Sequence, residues 1–145
     1  MHNKFEIRSR ILCEEVRQEK NNKYILLGVF SGDIFVESLP ADVPLALYFD
    51  GKVASKEMGD FYIRLSGPGE GKAIMSVKYK PSDEATNVAI VTPRVEVNLE
   101  KEGILKVETS DDQEHWTLQL ERTVKIGKDL WTLVPHKGST PKAHS

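Results

Sequence analysis

The sequence predicts an all-β fold: one antiparallel β-sandwich, immunoglobulin-like or C2-like, of about nine strands. Three observations predict it. Apolar and polar residues alternate in short runs, as in Phe61-Tyr62-Ile63-Arg64-Leu65, Val95-Glu96-Val97-Asn98-Leu99-Glu100 and Trp116-Thr117-Leu118-Gln119-Leu120-Glu121. Successive side chains on a strand point to opposite faces, so each run has one dry face and one wet face. Turn residues separate the runs at sandwich spacing, and almost nothing recurs at helical spacing.

At the N-terminal end, Phe5, Ile7, Ile11 and Cys13 share one parity, and Glu6, Arg8, Arg10 and Glu14 share the other. Val16 breaks the phase, which places a β-bulge near Glu14-Glu15 in a strand that runs on to Glu19. Lys20-Asn21-Asn22-Lys23 is a hairpin turn, because asparagine tolerates positive φ. The return run Tyr24-Ile25-Leu26-Leu27-Gly28-Val29-Phe30 is apolar on both faces, the pattern of a central strand. Ser31-Gly32-Asp33 turns the chain into a short strand, Ile34-Phe35-Val36. Leu39 to Pro44 reads as a loop, because its two prolines deny the ladder donors.

Leu45 to Phe49 is the next strand, ended by Asp50-Gly51, with an irregular crossing and at most a helical turn near Ser55 to Met58 behind it. Asp60 to Ser66 and Lys72 to Lys80 form a hairpin across Gly67-Pro68-Gly69-Glu70-Gly71. That glycine run lacks the Gly-Lys-Ser/Thr ending and the following helix of a phosphate loop. Pro81 to Thr86 is a loop. Asn87 to Thr92 and Val95 to Glu100 are strands parted by Pro93, and Ile104 to Thr109, Trp116 to Ile126 and Leu130 to Val134 complete the set. Residues 1–135 form one domain and His136 to Ser145 a flexible tail. The expected core comprises Ile7, Ile11, Leu27, Val29, Leu47, Phe49, Phe61, Ile63, Leu65, Met75, Val77, Val88, Ile90, Val97, Leu99, Leu105, Val107, Trp116, Leu118 and Leu120.

Composition narrows the function classes. The chain has 145 residues, a formal net charge of −2 and a single cysteine, Cys13. One cysteine allows no internal disulfide and suits a reducing compartment. The charge gives no broad attraction to nucleic acid or to an anionic membrane. The longest apolar stretch, Tyr24 to Phe30, is too short to span a bilayer, and no apolar segment of signal-peptide type follows the first residues. A cytoplasmic location is expected.

Candidate chemistry is sparse. Cys13 has no histidine near it in sequence and faces inward with Ile7 and Ile11, as an inert thiol. The turn aspartates Asp33, Asp50, Asp60, Asp83, Asp111 and Asp112 invite comparison with calcium loops, but lack dense Asp-x-Asp spacing. His2, His115, His136 and His144 are too scattered for a zinc motif. Glu14, Glu15, Arg17, Gln18, Glu19 and Lys20 crowd charges of both signs into one strand end. They read either as a solvated edge guarded against aggregation or as a charged patch for a partner.

The segment Cys13-Glu14-Glu15-Val16-Arg17-Gln18-Glu19, its polar turn and the apolar strand through Gly28-Val29 resemble the opening of a family of small, functionally uncharacterised bacterial all-β proteins. Members begin with a cysteine-acidic-acidic-Val-Arg-x-Glu strand, followed by a polar turn and an apolar strand ending in Gly-Val. The likeness covers about twenty residues, Ile11 to Phe30, and Leu39-Pro40 also fits. It implies a bacterial, cytoplasmic domain with signature positions Cys13, Glu14, Arg17, Glu19 and Gly28, and brings no catalytic residues with it. The expectation is a non-enzymatic interaction module that needs no cofactor or metal. It would bind another protein or itself, with a homodimer through edge strands as one form and Glu15 part of the candidate surface. The alternatives are a calcium- or ligand-binding C2-like module and a small hydrolase using Glu14, Glu15 and Arg17.

Overall fold

The computed structural model describes residues 5–53, 59–79 and 87–127. Within them the chain is all-β, with ten strands and one short 3-10 turn, η1 (Lys20–Asn22). The strands are β1 (Phe5–Gln18), β2 (Tyr24–Val29), β3 (Ile34–Val36), β4 (Ala41–Val53), β5 (Gly59–Ser66), β6 (Lys72–Tyr79), β7 (Asn87–Val91), β8 (Val95–Leu99), β9 (Gly103–Ser110) and β10 (Thr117–Ile126). Two five-stranded sheets result. One has the order β2-β1-β4-β7 with β8 also on β4, and the other the order β3-β10-β9-β5-β6. The expected last strand, Leu130 to Val134, the tail, the Pro81–Thr86 loop and the turn near Ser55 to Met58 fall outside the described residues.

β4 is the spine of the first sheet. Its C-terminal half pairs with β1 on one side and β7 on the other, and its N-terminal half pairs with β8. β7 and β8 are thus two lengths of one ladder, interrupted at Pro93. Thr92 bridges the gap: its amide donates to the Leu47 carbonyl at 3.0 Å, and its hydroxyl accepts the Leu47 amide at 2.8 Å. Both groups are buried, so each needs that partner.

The strand around Asp50-Gly51 corrects the expected turn: β4 runs on through both. Pro44 likewise lies inside β4, opposite Glu96. It is tolerated because β1 reaches β4 only as far as Ala46, so the other side of the strand carries no β1 ladder there.

The core lies between the sheets. Phe5, Leu12, Leu45, Leu47, Phe49 and Leu99 meet Ile34, Phe61, Ile63, Leu65, Leu105, Val107 and Val124. Ile34, Val36, Val43, Leu45 and Val124 belong to this core although the expected list omitted them. Leu27, Val29 and Leu118 were expected there and are exposed. Trp116 sits over the Arg64 guanidinium at 4.1 Å, and Arg64 is in turn paired with Glu108 at 3.1 Å. Those two side chains occupy the outward face of the second sheet, which draws Trp116 out of the core.

The phase break of β1 also falls elsewhere. The register with β4 shifts between Ile7 and Ser9, whereas the register with β2 is the same on both sides of Glu14-Glu15. The slip at Arg8 puts Leu12, rather than Ile11 or Cys13, on the core side.

The glycine-rich connection behaves as a hairpin loop. The Gly67 amide bonds the Gly71 carbonyl at 2.9 Å, and the Glu100 amide bonds the Pro68 carbonyl at 3.4 Å. A Cβ on Gly71 would collide with the Asn98 carbonyl, so the glycines let β8 pass against the loop.

Thr92→Val keeps the shape but strands the Leu47 amide. Urea unfolding should show a loss of about 1–3 kcal/mol, whereas Thr92→Ser should retain most of the stability.

Candidate functional site

Cys13, Glu14, Glu15, Arg17, Glu19 and Gly28 lie in one hairpin, β1–η1–β2. Its tip closes because Asn21 and Asn22 take φ of 67° and 58°, which asparagine reaches at low cost. The Glu19 amide then donates to the Lys23 carbonyl at 2.7 Å. At its base the Phe30 amide donates to the Leu12 carbonyl at 2.8 Å, and Arg122 Nε donates to the Phe30 carbonyl at 2.8 Å. The second contact ties the hairpin to the second sheet.

The hairpin curls back over the first sheet. Tyr24 pairs with Gln18 and Tyr48 with Ile11. Seven residues of straight strand would separate those pairs by about 23 Å. Their rings nevertheless meet edge-to-face with centroids 5.7 Å apart. Asn22 and Tyr24 also share a groove with Tyr48, Asp50 and Ala89. β1 therefore bends beyond Cys13 and lays its distal half, with β2, across the sheet face opposite the core. Burial first, then the charge of Asp50, pushes the Tyr48 phenol above its ordinary value.

The curl assigns each candidate residue a place. Cys13 lies in the crease, fully buried, beside the equally buried Ala46. Its thiol donates to the Glu15 carbonyl at 3.4 Å and lies 3.6 Å from the Ala46 carbonyl. Burial is the main reason its pKa is raised, so little nucleophilic thiolate forms at neutral pH. It reaches burial from the opposite face to the one its parity with Ile7 suggested.

Glu14 lies over Gly28, whose φ of +64° marks a left-handed position. Glu15 points to the other face and pairs with Arg17 through Nη2 at 3.1 Å and Nε at 3.2 Å. Glu14 and Glu15 do not converge as a carboxylate pair, and Arg17 is committed to one of them at the surface. Glu19 contributes its backbone to the tip.

β2 is an edge strand rather than a central one, and among the described residues nothing pairs with its outer edge. Its two apolar faces have separate causes. Tyr24 and Leu26 are half-buried on the side folded against the sheet. Ile25, Leu27 and Val29 are 40%, 36% and 51% exposed on the other side. Beside Ile25 and Leu27 on β1, the register places Arg17 and Glu15; Val29 lies past the left-handed Gly28, opposite the buried Cys13.

A second place of interest is a cleft of about 370 Å³ between β1 and the β9–β10 turn. Phe5 and Phe61 floor it, edge-to-face at 5.8 Å. Gln119 is held between Arg10 Nε at 2.7 Å and the Thr109 hydroxyl at 2.8 Å. Asp112, Glu114 and His115 bring one ligand atom each within 4.8 Å of one another. The sequence spacing did not reveal this group; Asp112-x-x-His115 was its only trace.

Asp112 already serves the turn. Its carboxylate accepts from the Ser110 hydroxyl at 3.0 Å, the Glu114 amide at 2.8 Å and the His115 amide at 2.8 Å. Its second oxygen lies 2.8 Å from His115 Nδ1. Asp111 lines the same cleft. The other turn aspartates are dispersed: Asp33 pairs with Lys125 at 3.0 Å, Asp50 and Asp60 lie in β4 and β5, and Asp83 is outside the described residues. No family model matches the chain, and no curated protein matches it.

Gly28→Ala should cost about 1–2 kcal/mol in urea unfolding, the expense of a left-handed residue with a Cβ. Adding Glu14→Ala should not restore it, because the flexible Glu14 side chain can move aside and the backbone strain remains.

The bonds from the His115 amide, the His115 ring, the Glu114 amide and the Ser110 hydroxyl hold the Asp112 carboxyl well below the usual carboxylate range. A depressed folded-state value stabilises the native turn above the unfolded value of about 3.9, and that stabilisation is lost as pH falls through the folded-state value. Asp112→Asn should therefore unfold earlier than wild type at neutral pH. The gap between the two proteins should narrow in melts taken well below pH 4.

Proposed function

We propose that this protein is a non-enzymatic interaction module of β-sandwich type that binds through the outward side of its β1–β2 hairpin. One observation carries the reading: Ile25, Leu27 and Val29 stand exposed, two residues apart, on an edge strand without a charge or a proline. Natural edge strands are normally guarded by such residues, because unpaired backbone groups invite a further strand. An unguarded, apolar edge suits β-augmentation, in which backbone pairing supplies affinity and alternate side chains supply selectivity.

The resemblance of this hairpin to the opening strands of a bacterial family supports placing the module in a bacterial cytoplasm. The separation of Glu14 from Glu15 favours binding over the hydrolase alternative. Asp112, with its oxygens engaged by the turn, gives the calcium alternative no open ligand set.

Affinity purification from bacterial lysate with wild type and Leu27→Lys, matched for thermal stability, tests the reading. Proteins retained by wild type and lost with Leu27→Lys are expected. Identical sets for both chains, or empty ones from a chain that is also purely monomeric in solution, would remove it.

A further inference from the structure

We propose that the groove under the β1–β2 hairpin binds a free α-amino acid, with Arg8 for its carboxylate and Asp50 for its ammonium group. The groove encloses about 570 Å³ between the hairpin and the outer face of the first sheet. Asn22 and Tyr24 approach it from the hairpin, Arg8 from β1, Tyr48 and Asp50 from β4, and Asn87 from β7. It lies on the covered side of the hairpin, away from the exposed Ile25 and Leu27, and is therefore separate from the proposed protein-binding edge.

The bulge of β1 sets Arg8 in place. Arg8 is the extra residue between Ile7, opposite Gly51, and Ser9, opposite Asp50. Bulges recur next to active sites, where they re-aim a side chain. A Cβ at Gly51 would collide with the Glu6 carbonyl, so glycine lets β1 close on β4 beside the bulge. Asp50 lies near enough to Tyr48 for its charge to act on the phenol.

The charges define the class of ligand. A guanidinium and a carboxylate share the groove, yet among the described residues they form no ion pair with each other or with any other group. A ligand of one charge would meet one partner and one like charge there, whereas a zwitterion meets two partners. Arg8 offers the planar fork that holds a carboxylate by two hydrogen bonds. An ammonium group pairs with a carboxylate and also lies favourably against a tyrosine ring. The Asn22 and Asn87 side chains make no hydrogen bond among the described residues, which leaves their amides able to donate and accept at the polar end of the ligand. The tyrosine rings and Val88 supply an apolar wall, which suits an aliphatic or aromatic side chain.

Melts of the full chain with each common L-amino acid, followed by calorimetric titration of the tightest, test the proposal. An apolar member such as leucine or phenylalanine should raise the melting temperature, because a ligand of the native state stabilises it. With wild type, N-acetylation or carboxyl amidation of that ligand should each weaken binding by about tenfold or more. Asp50→Asn should weaken the free ligand to a similar degree, and N-acetylation should then cost little further. Arg8→Gln should behave in the same way toward amidation. The capped ligands report on both contacts in the wild-type fold, so the test holds even where a variant is unstable.

No binding by any member of the panel overturns the proposal. So does a ligand that binds equally well with both ends capped, since only its side chain is then read. N-acetylation that costs as much in Asp50→Asn as in wild type overturns it too, by placing the ammonium group elsewhere.

Discussion

The first sheet depends on β4 holding three ladders at once. Where β4 is flanked on both sides its buried amides need partners, yet the chain opposite it is broken by Pro93. Thr92 solves the difficulty with a side-chain oxygen where the interrupted backbone offers none, and Leu47 is satisfied through both its amide and its carbonyl. Because the interior around Leu47 is dry, failure of that bond would leave a buried donor unpaired, which is costlier than the loss of an exposed hydrogen bond. The placement of β7 and β8, and through them one wall of the core, follows from this small polar contact.

The hairpin depends on β4 indirectly. β1 is held against β4 only between Phe5 and Cys13; beyond that it is free to bend. The bend covers Ala46 and Tyr48 and carries β2 away from the neighbours that a flat sheet would have given it. One geometric event thus seals the cysteine, buries one side of β2 and leaves the other side facing solvent. The charged pair Glu15–Arg17 lies on this outer surface and is mostly solvated, a situation in which an ion pair contributes little to stability.

Much of the fold was legible in the residues. Alternation located the cores of β5, β8 and β9, and Asn21-Asn22 announced a tip that takes positive φ. The glycine run announced a loop crossed by another strand. The errors have one cause: a period of two reports which residues share a face but not which face is covered, nor where a strand changes phase. The break at Val16 is real as a pattern, whereas its structural source is the slip at Arg8 together with the later bend. The two-sided apolarity of β2 fits a strand buried by neighbours on both faces. It fits equally well a strand that folds one face down and shows the other, and only tertiary structure separates the two. Val43 was hidden because it fell within Leu39 to Pro44, whose two prolines resembled a loop signal.

The candidate surface was legible in part. The hairpin was marked by its crowded charges, but Leu27 and Val29, which belong to the proposed surface, were assigned to the interior. His115 and Asp112 were readable as isolated turn residues; their convergence arises from the tight β9–β10 turn, in which Gln113 takes a left-handed conformation.

The sealed position of Cys13 makes the protein its own gauge of hairpin movement. A thiol-reactive dye cannot enter the crease while the flap is down, so the pace of labelling counts how often it lifts. Where labelling is slow compared with reclosure, that pace converts to the free energy of local opening, as it does for a slowly exchanging amide. A strand recruited to the exposed edge would weigh the flap down, and the dye would register its arrival from the far side of the hairpin.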